Sequence, residues 1–247
     1  MARAASCGQS VAVKTSGVHH ALAAAGDLVL PRSCAGCDAP GASVCAHCRA
    51  ELADLALADL GPIAPSPVPP GWPGCTGTVR YEGLSARLAR AFKDGERRDL
   101  VGVLGRLLAD SVSRAVPSGP PVTSKLLIVP VPSSPAATRR RGDRPTLLLA
   151  RRAANGLGPA VLVESGLRMR RGTADQATLD RTARLANLSG AMWVPRPDRL
   201  QGHRCVLVDD VLTSGATLTE GRRALLAAGA ARVDLAVAMV TPRRCPR

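Results

Sequence analysis

Residues Val206–Leu218, VLVDDVLTSGATL, decide the fold of this 247-residue chain. An apolar run leads into two adjacent carboxylates, Asp209 and Asp210, and then into a loop of small hydroxyl residues and glycine. The apolar run predicts a buried strand, and the apolar residues after the loop predict a helix. A buried strand followed at once by a helix is typical of an α/β protein with a parallel sheet.

The sequence on both sides of this stretch continues the alternation of strands and helices. The predicted strands are Thr76–Tyr81 (an edge strand), Leu126–Val131, Ala160–Val163, Cys205–Leu212 and Val233–Val240. The predicted helices are Leu84–Lys93, Leu100–Ala115, Pro145–Asn155, Arg181–Ala191 and Leu218–Ala228. Apolar strands that alternate with helices predict a parallel sheet flanked by helices on both faces.

The loop after the two aspartates has the features of a phosphate-binding site. At the start of a helix, the backbone N–H groups of Thr213–Thr217 would point outward, where they and the helix dipole favour a phosphate dianion. Gly215 lets the backbone approach a ligand closely, and the hydroxyl side chains add donors. Asp209 and Asp210 would repel phosphate, so their expected partners are ribose hydroxyls or Mg²⁺. The pattern therefore predicts a sugar-phosphate site.

Four cysteines form two closely spaced pairs, Cys34-x2-Cys37 and Cys45-x2-Cys48. Each pair places two sulfur ligands on one tight turn, and four thiolates at this spacing favour a closed, structural zinc site. An iron site of the rubredoxin type and four unligated, reduced thiols are the alternatives. A module this small has too little core to fold unaided, so the metal would stabilise it.

Six prolines within Gly61–Gly74 predict a stiff linker without regular structure. A helix is predicted to leave the second cysteine pair over Ala46–Leu60. The expected organisation has four parts. They are an N-terminal extension with a short helix at 1–30, a zinc-ribbon module at 31–60, the proline-rich linker at 61–74 and the α/β domain at 75–242.

Composition narrows the class of protein. Hydrophobic residues make up 46% of the chain and charged residues 21%, which excludes a disordered chain. Without an apolar run of about 18–20 residues or a clear secretory signal, we expect no membrane insertion and a cytoplasmic location. The net charge of +14 indicates either an anionic partner such as nucleic acid or the arginine bias of GC-rich coding sequence. The chain has only two Trp, one Tyr and one Phe, so we expect little base stacking.

Val206–Leu218 resembles the signature of type I phosphoribosyltransferases, which bind 5-phosphoribosyl-1-pyrophosphate (PRPP). Further motifs resemble the ComF family, competence-associated members of that superfamily with an N-terminal zinc ribbon. Besides the cysteine pairs, these motifs are Val129-Pro-Val-Pro132, Arg139-Arg-Arg-Gly142, Arg168-x-Arg170-x2-Thr173-x2-Gln176-x2-Leu179 and Arg184-x2-Asn187-Leu188. The resemblance spans about residues 28 to 241. One departure is that Asp143, Arg144 and Pro145 stand where the family commonly has Phe-Asn-Gln.

The resemblance implies a role for each matching residue. The turn at Val131–Ser133 and two arginines would hold pyrophosphate, a mobile loop would close over the site, and Asp209 and Asp210 would be the catalytic carboxylates. The implied PRPP-binding residues outside that acidic pair are Val131, Pro132, Ser133, Arg139, Arg141, Arg170, Gln176, Arg184, Thr213, Ser214, Gly215, Ala216 and Thr217.

The resemblance also implies a function, with three alternatives. The first is a PRPP-binding factor in DNA uptake or processing, with single-stranded DNA and a helicase as partners. The second is an active phosphoribosyltransferase with an unknown base or amine as acceptor, and the third is a PRPP-sensing regulator without catalysis. All three imply a structural Zn²⁺ ion and a Mg²⁺ ion bound with PRPP.

Overall fold

A computed structural model of the chain describes residues 33–57, 62–95, 97–116, 125–133, 144–170 and 190–241. In these ranges the helices are α1 (Ala46–Asp54), α2 (Gly83–Lys93), α3 (Val101–Ala115), α4 (Pro145–Leu157) and α5 (Ala216–Ala227). The strands are β1 (Thr76–Arg80), β2 (Leu126–Pro130), β3 (Val161–Val163), β4 (Arg168–Met169), β5 (Met192–Trp193), β6 (Arg204–Leu212) and β7 (Arg232–Val240). The predicted extension at 1–30 and nearly all of the predicted helix at 181–191 lie outside the described residues.

Five strands form one parallel sheet in the order β1-β7-β6-β2-β3. The strand that carries the two aspartates, β6, is therefore the middle strand, and Val208 pairs with Ala236 on one side and Pro130 on the other. The short strands β4 and β5 form a separate antiparallel ribbon. The predicted α/β fold is confirmed, with the predicted edge strand β1 at one end of the sheet.

Both faces of the sheet are covered, because side chains alternate along β6. Val206 and Val208 are fully buried in a core formed with α2, α3 and α4. Cys205 and Leu207 are fully buried in a second core, formed with α5 and the β4–β5 ribbon. Fully burying a side chain of this size contributes about 1.5–3 kcal/mol, so burial on both faces holds β6 in the interior of the domain.

The cysteine module packs into the first of these cores. Its buried residues Cys34, Val44, Cys48 and Leu52 belong to the same cluster as Leu84 of α2. Helix α1 is shorter than predicted: it ends at Asp54. The chain then leaves the helix to run beside β1, where the N–H of Leu57 donates to the carbonyl of Thr78 at 2.9 Å.

The proline-rich segment 62–74 contains no helix, and its one strand-like feature is a bridge between Ile63 and Cys75. Two backbone hydrogen bonds of 2.8 and 2.9 Å join these two residues. The Nε1–H of Trp72 also donates to the carbonyl of Ile63 at 2.8 Å. These bonds hold the segment against the α/β domain; the domain boundary placed in it stays a prediction.

Candidate functional site

The two aspartates lie near the carboxyl end of the middle strand, as the sequence predicts. Asp210 is buried, with 6% of its surface exposed, and its backbone N–H donates to the carboxylate of Asp209 at 2.9 Å. The carboxyl ends of parallel strands are where open α/β sheets bind ligands. Asp209 and Asp210 thus offer carboxylate oxygens at this edge of the sheet, which can accept from ribose hydroxyls or bind Mg²⁺.

Lys93, the last residue of α2, contacts this acidic pair and was not among the predicted site residues. Its Nζ atom lies 2.6 Å from Oδ2 of Asp210. Burial by itself would lower the pKa of Lys93, but the charges of Asp210 and Asp209 outweigh burial and hold this pKa above its usual value. Lys93 is one of three lysines among 33 basic residues, which is the only sequence signal that it stands apart.

The Asp209 carboxyl group is a weak acid in this environment. Burial, reinforced by the charge of Asp210 and only partly offset by Lys93, raises the pKa of Asp209 to about 8. Burial and the charge of Asp209 also raise the pKa of the Cys75 thiol, so Cys75 is a neutral neighbour. The Asp209 carboxyl group is therefore largely protonated near neutral pH, and a cation at this position would favour its ionisation.

The loop that follows has the geometry of an anion site. Gly215 is the N-cap of α5 with φ = +73°, a left-handed conformation that favours glycine. Glycine has no side chain that could accept from the first-turn N–H groups of α5, and the N–H of Ala216 donates to Oγ of Ser214 at 3.4 Å. Thr213 is exposed, Ser214 and Thr217 are half-buried, and Ala216 is buried beneath the loop. This arrangement fits a phosphate at the helix N-terminus.

The proline-rich segment covers the back of this loop, a contact that was not predicted from the sequence. A Cβ atom placed on Gly215 would lie 2.9 Å from Cγ of Pro65 and 3.0 Å from Cζ3 of Trp72. Contacts this short leave no room for a side chain at position 215. Glycine is therefore required at position 215 for two reasons: its left-handed backbone conformation and the lack of space for a side chain.

The turn at Val131–Ser133 lines a cavity of about 300 Å³. The turn adjoins the acidic pair, because the N–H of Val131 donates to the carbonyl of Val208 at 3.0 Å. The other lining residues are Pro130, Arg144, Leu147, Ser165, Leu167, Arg168 and Met169. Arg144 was not among the predicted site residues, because it lies in the Asp143–Pro145 segment where the sequence differs from the usual ComF motif. The cavity thus combines two guanidinium groups with hydroxyls and backbone, a donor set suited to a pyrophosphate group.

Of the remaining predicted PRPP-binding residues, only Arg170 lies in the described part of the chain. Arg170 is exposed just after β4, and its backbone N–H donates to the carbonyl of Ala191 at 2.7 Å. The other predicted contacts from this part of the chain lie outside the described residues. They are Arg139, Arg141, Gln176 and Arg184.

The four clustered cysteines converge on one point. Their sulfur atoms all lie within 4.8 Å of one another, and those of Cys37 and Cys45 are 3.6 Å apart. A tetrahedral Zn–S distance of about 2.3 Å corresponds to sulfur atoms about 3.8 Å apart, so the cluster fits zinc. Burial alone would raise the pKa of Cys34, but backbone N–H groups of Cys45 and Gly36 lower it to about 6. The lowered pKa favours the thiolate form of Cys34, which is the form that binds a metal.

Comparison with known proteins agrees with this fold. The phosphoribosyl transferase domain family matches residues 147–246. The DNA utilization protein YhgH of Salmonella typhi is 33% identical over 168 residues, which cover 68% of this chain and 72% of that protein. The Escherichia coli protein of the same name is 32% identical over the same lengths. The chain is a phosphoribosyltransferase-domain protein. Specifically, it belongs to the family of the DNA utilization protein YhgH.

Several solved structures overlap part of the chain at low similarity. The glutamine PRPP amidotransferase of B. subtilis, complexed with ADP and GMP, is 19% identical with a TM-score of 0.36, over 57% of this chain and 26% of that enzyme. A hypoxanthine phosphoribosyltransferase of Trypanosoma cruzi is 17% identical with a TM-score of 0.33, over 61% of this chain and 71% of that enzyme. This chain thus matches about a quarter of the B. subtilis enzyme. In the described ranges, no helix has the length and apolar character that crossing a bilayer requires.

Proposed function

We propose that this chain is a cytoplasmic, PRPP-binding protein of the ComF type that serves DNA uptake or DNA processing. The observation that carries the proposal is the acidic pair, Asp209 and Asp210, placed between a glycine-capped helix and a cavity with two arginines. In this proposal the three features bind the three parts of one ligand, namely its 5-phosphate, its ribose and its pyrophosphate. The DNA role is supported by relatives named for DNA utilization, and a helicase that acts on single strands is the proposed partner.

PRPP would occupy the site in a single orientation. The 5-phosphate would accept hydrogen bonds from the N–H groups of the Thr213–Thr217 loop, at the positive end of the α5 dipole. The ribose hydroxyls would donate to Asp209 and Asp210. The pyrophosphate would lie at Val131–Ser133, where Arg144 supplies charge-assisted hydrogen bonds. A Mg²⁺ ion, when bound, would neutralise the charge shared by pyrophosphate and the acidic pair.

An active transferase is the second candidate, and it is favoured by the same cavity of about 300 Å³, whose two arginines would stabilise a departing pyrophosphate. In that reaction the bond between C1 and the pyrophosphate oxygen breaks, and pyrophosphate leaves with the electron pair. A new bond forms from C1 to an acceptor nitrogen, which loses its proton. The chain's own contribution is to stabilise the leaving pyrophosphate with Arg144 and Arg168 and to hold the ribose in position.

The test is calorimetric titration of PRPP with Mg²⁺ into the parent and into Asp209→Asn/Asp210→Asn. We expect the double variant to lose binding at least tenfold while its circular dichroism and metal content stay at parent values. Asp110→Asn, an exposed aspartate on α3, is the matched control and should bind like the parent. Equal affinity of parent and double variant would refute the site. Pyrophosphate release with a panel of bases separates the transferase from the binding factor.

The cysteine cluster is proposed to hold one structural Zn²⁺ ion, on the basis of its sulfur geometry. The metal would stabilise the module formed by residues 33–57, whose own core is small. Because all four ligands are thiolates, the site has no open position for substrate, and its role is structural.

A further inference from the structure

We propose that single-stranded DNA binds to a specific surface next to the phosphoribosyl site, the arginine–tryptophan face formed by Trp193, Arg168, Arg196 and Arg199. The choice of DNA as the partner rests on the proposed function, whereas the location of the surface rests on the structure alone. Because aromatic residues are few, the composition predicts little stacking. The structure changes this expectation, because it exposes one of the two tryptophans where arginines gather.

Trp193 is more exposed than most tryptophans, which are highly buried on average. Its side chain is 43% exposed on β5, whereas that of the preceding residue, Met192, is 1% exposed. Alternation along a strand turns Met192 toward the core and Trp193 outward. Tryptophan and arginine are both enriched in binding interfaces relative to the rest of a protein surface, so an exposed tryptophan beside arginines is a candidate interaction site.

Arg168 lies directly opposite Trp193 in the β4–β5 ribbon. Directly paired residues present their side chains on one face, with Cβ atoms about 4.5–5.5 Å apart. The guanidinium group of Arg168 donates to the carbonyls of Ser165 and Leu167, which holds it in place. A fixed guanidinium beside an exposed indole presents a phosphate-binding group and a stacking surface at once.

Two further arginines extend the charge. Arg196 and Arg199 are exposed and line, together with Arg168, a cleft of about 250 Å³. Within residues 144–170 and 190–241, the acidic groups that face this region are Glu164, which lies 3.6 Å from Arg199, and the exposed Asp198. In these ranges three arginines outnumber two acids, so the described part of the face has net positive charge.

Single-stranded nucleic acid is the anion that uses both features. Its phosphates pair with arginines, and its unstacked bases have free faces that can lie on an indole ring, whereas duplex bases do not. The arginine–tryptophan face also adjoins the proposed PRPP site, because Ser165 and Arg168 line both this cleft and the cavity at the Val131–Ser133 turn. A strand bound here would pass the entrance of the phosphoribosyl site.

The test uses Trp193 as its own reporter. In Trp72→Phe the sole tryptophan is Trp193, so titration with an oligothymidylate should quench its fluorescence. Stacking contributes about 1–3 kcal/mol per base, so Trp193→Ala should weaken oligothymidylate binding by about 5-fold to 150-fold. Arg196→Ala/Arg199→Ala should lower the slope of log affinity against log salt by about 1.4, since each phosphate contact adds about 0.7 for single strands.

Matched controls separate this surface from general basicity. Arg106→Ala/Arg151→Ala removes the same charge from exposed positions on α3 and α4, which pack on the other face of the sheet, and should keep the parent slope. Trp193→Ala should titrate Mg²⁺–PRPP like the parent, because Trp193 does not line the cavity at the turn. Arg168 is left unchanged because it lines both sites.

Each outcome decides the proposal. If the parent binds oligothymidylate and the Trp193 and arginine variants bind equally well, the surface is wrong while the DNA role stands. If the parent binds no DNA at low salt, both the surface and the DNA role fail, and the PRPP titration still decides the phosphoribosyl site. If polyglutamate competes as well as DNA and Trp193→Ala changes nothing, the face is a general anion surface and the proposal is overturned.

Discussion

Gly215→Ala tests whether the proline-rich segment 62–74 packs against the Thr213–Thr217 loop. An alanine at φ = +73° costs about 1–2 kcal/mol because of its left-handed backbone. The added Cβ would also lie 2.9 Å from Pro65 and 3.0 Å from Trp72, and overpacking of this kind costs about 1–3 kcal/mol. We therefore expect the free energy of unfolding, measured in urea, to fall by about 2–5 kcal/mol.

Gly202→Ala is the matched control for the backbone cost. Gly202 has φ = +72°, and a Cβ added there would have no atom within 4 Å. Its substitution should cost only the conformational part, about 1–2 kcal/mol. In a Trp72→Ala background the cost of Gly215→Ala should fall, since one of the two obstructing side chains is gone. If Gly215→Ala costs no more than Gly202→Ala, the packing of segment 62–74 on the loop is refuted.

Three further predictions concern the metal and the acidic pair. The purified protein should contain about one zinc ion per chain by mass spectrometry, and Cys48→Ser should lose the zinc ion. A metal-free parent that is fully folded under reducing conditions would contradict the structural role of zinc. Lys93→Met should lower the free energy of unfolding by about 1–3 kcal/mol, which is less than the loss expected for a fully buried ion pair. The double variant Lys93→Met/Asp210→Asn should recover part of that free energy, because it leaves no unpaired charge. If the losses of the two single variants simply add, the ion pair contributes nothing to stability. Because the folded pKa of Asp209 is raised to about 8, its contribution to stability is fully present below pH about 4 and is lost as pH rises toward 8. The difference in free energy of unfolding between Asp209→Asn and the parent should therefore grow from pH 5 to pH 8, and a constant difference would exclude the raised pKa.

The fold was predictable because its signals are local. The apolar run before Asp209 is short, contains β-branched residues and ends at polar loop residues, which favours a buried strand, and the Gly215 loop with its small residues favours a helix start. The spacing of the cysteine pairs likewise determines their convergence, since two tight turns can bring four sulfur atoms together without help from the rest of the chain. In each case the residues that form the feature lie within about a dozen positions of one another.

Contacts between distant segments were not predictable in this way. Lys93 reaches Asp210 across 117 positions of sequence because α2 packs on the sheet, and nothing local at either residue indicates the partner. The same holds for Trp72 against Gly215 and for the entry of Arg144 into the cavity. The proline-rich composition correctly indicates a segment without helices, but composition carries no information about the surface on which such a segment lies.

The structure also connects the metal module to the acidic pair. A Cβ on Gly36, between the first two cysteines, would lie 2.5 Å from Leu84 and 2.8 Å from the sulfur of Cys48, so the module is in close contact with the start of α2. Lys93 lies at the other end of the same helix and contacts Asp210. Helix α2 is 11 residues long, so the cysteine module and the acidic pair contact opposite ends of one short helix. The contact between Lys93 and Asp210 therefore depends on the same helix that the cysteine module packs against, although the module itself does not line the proposed site.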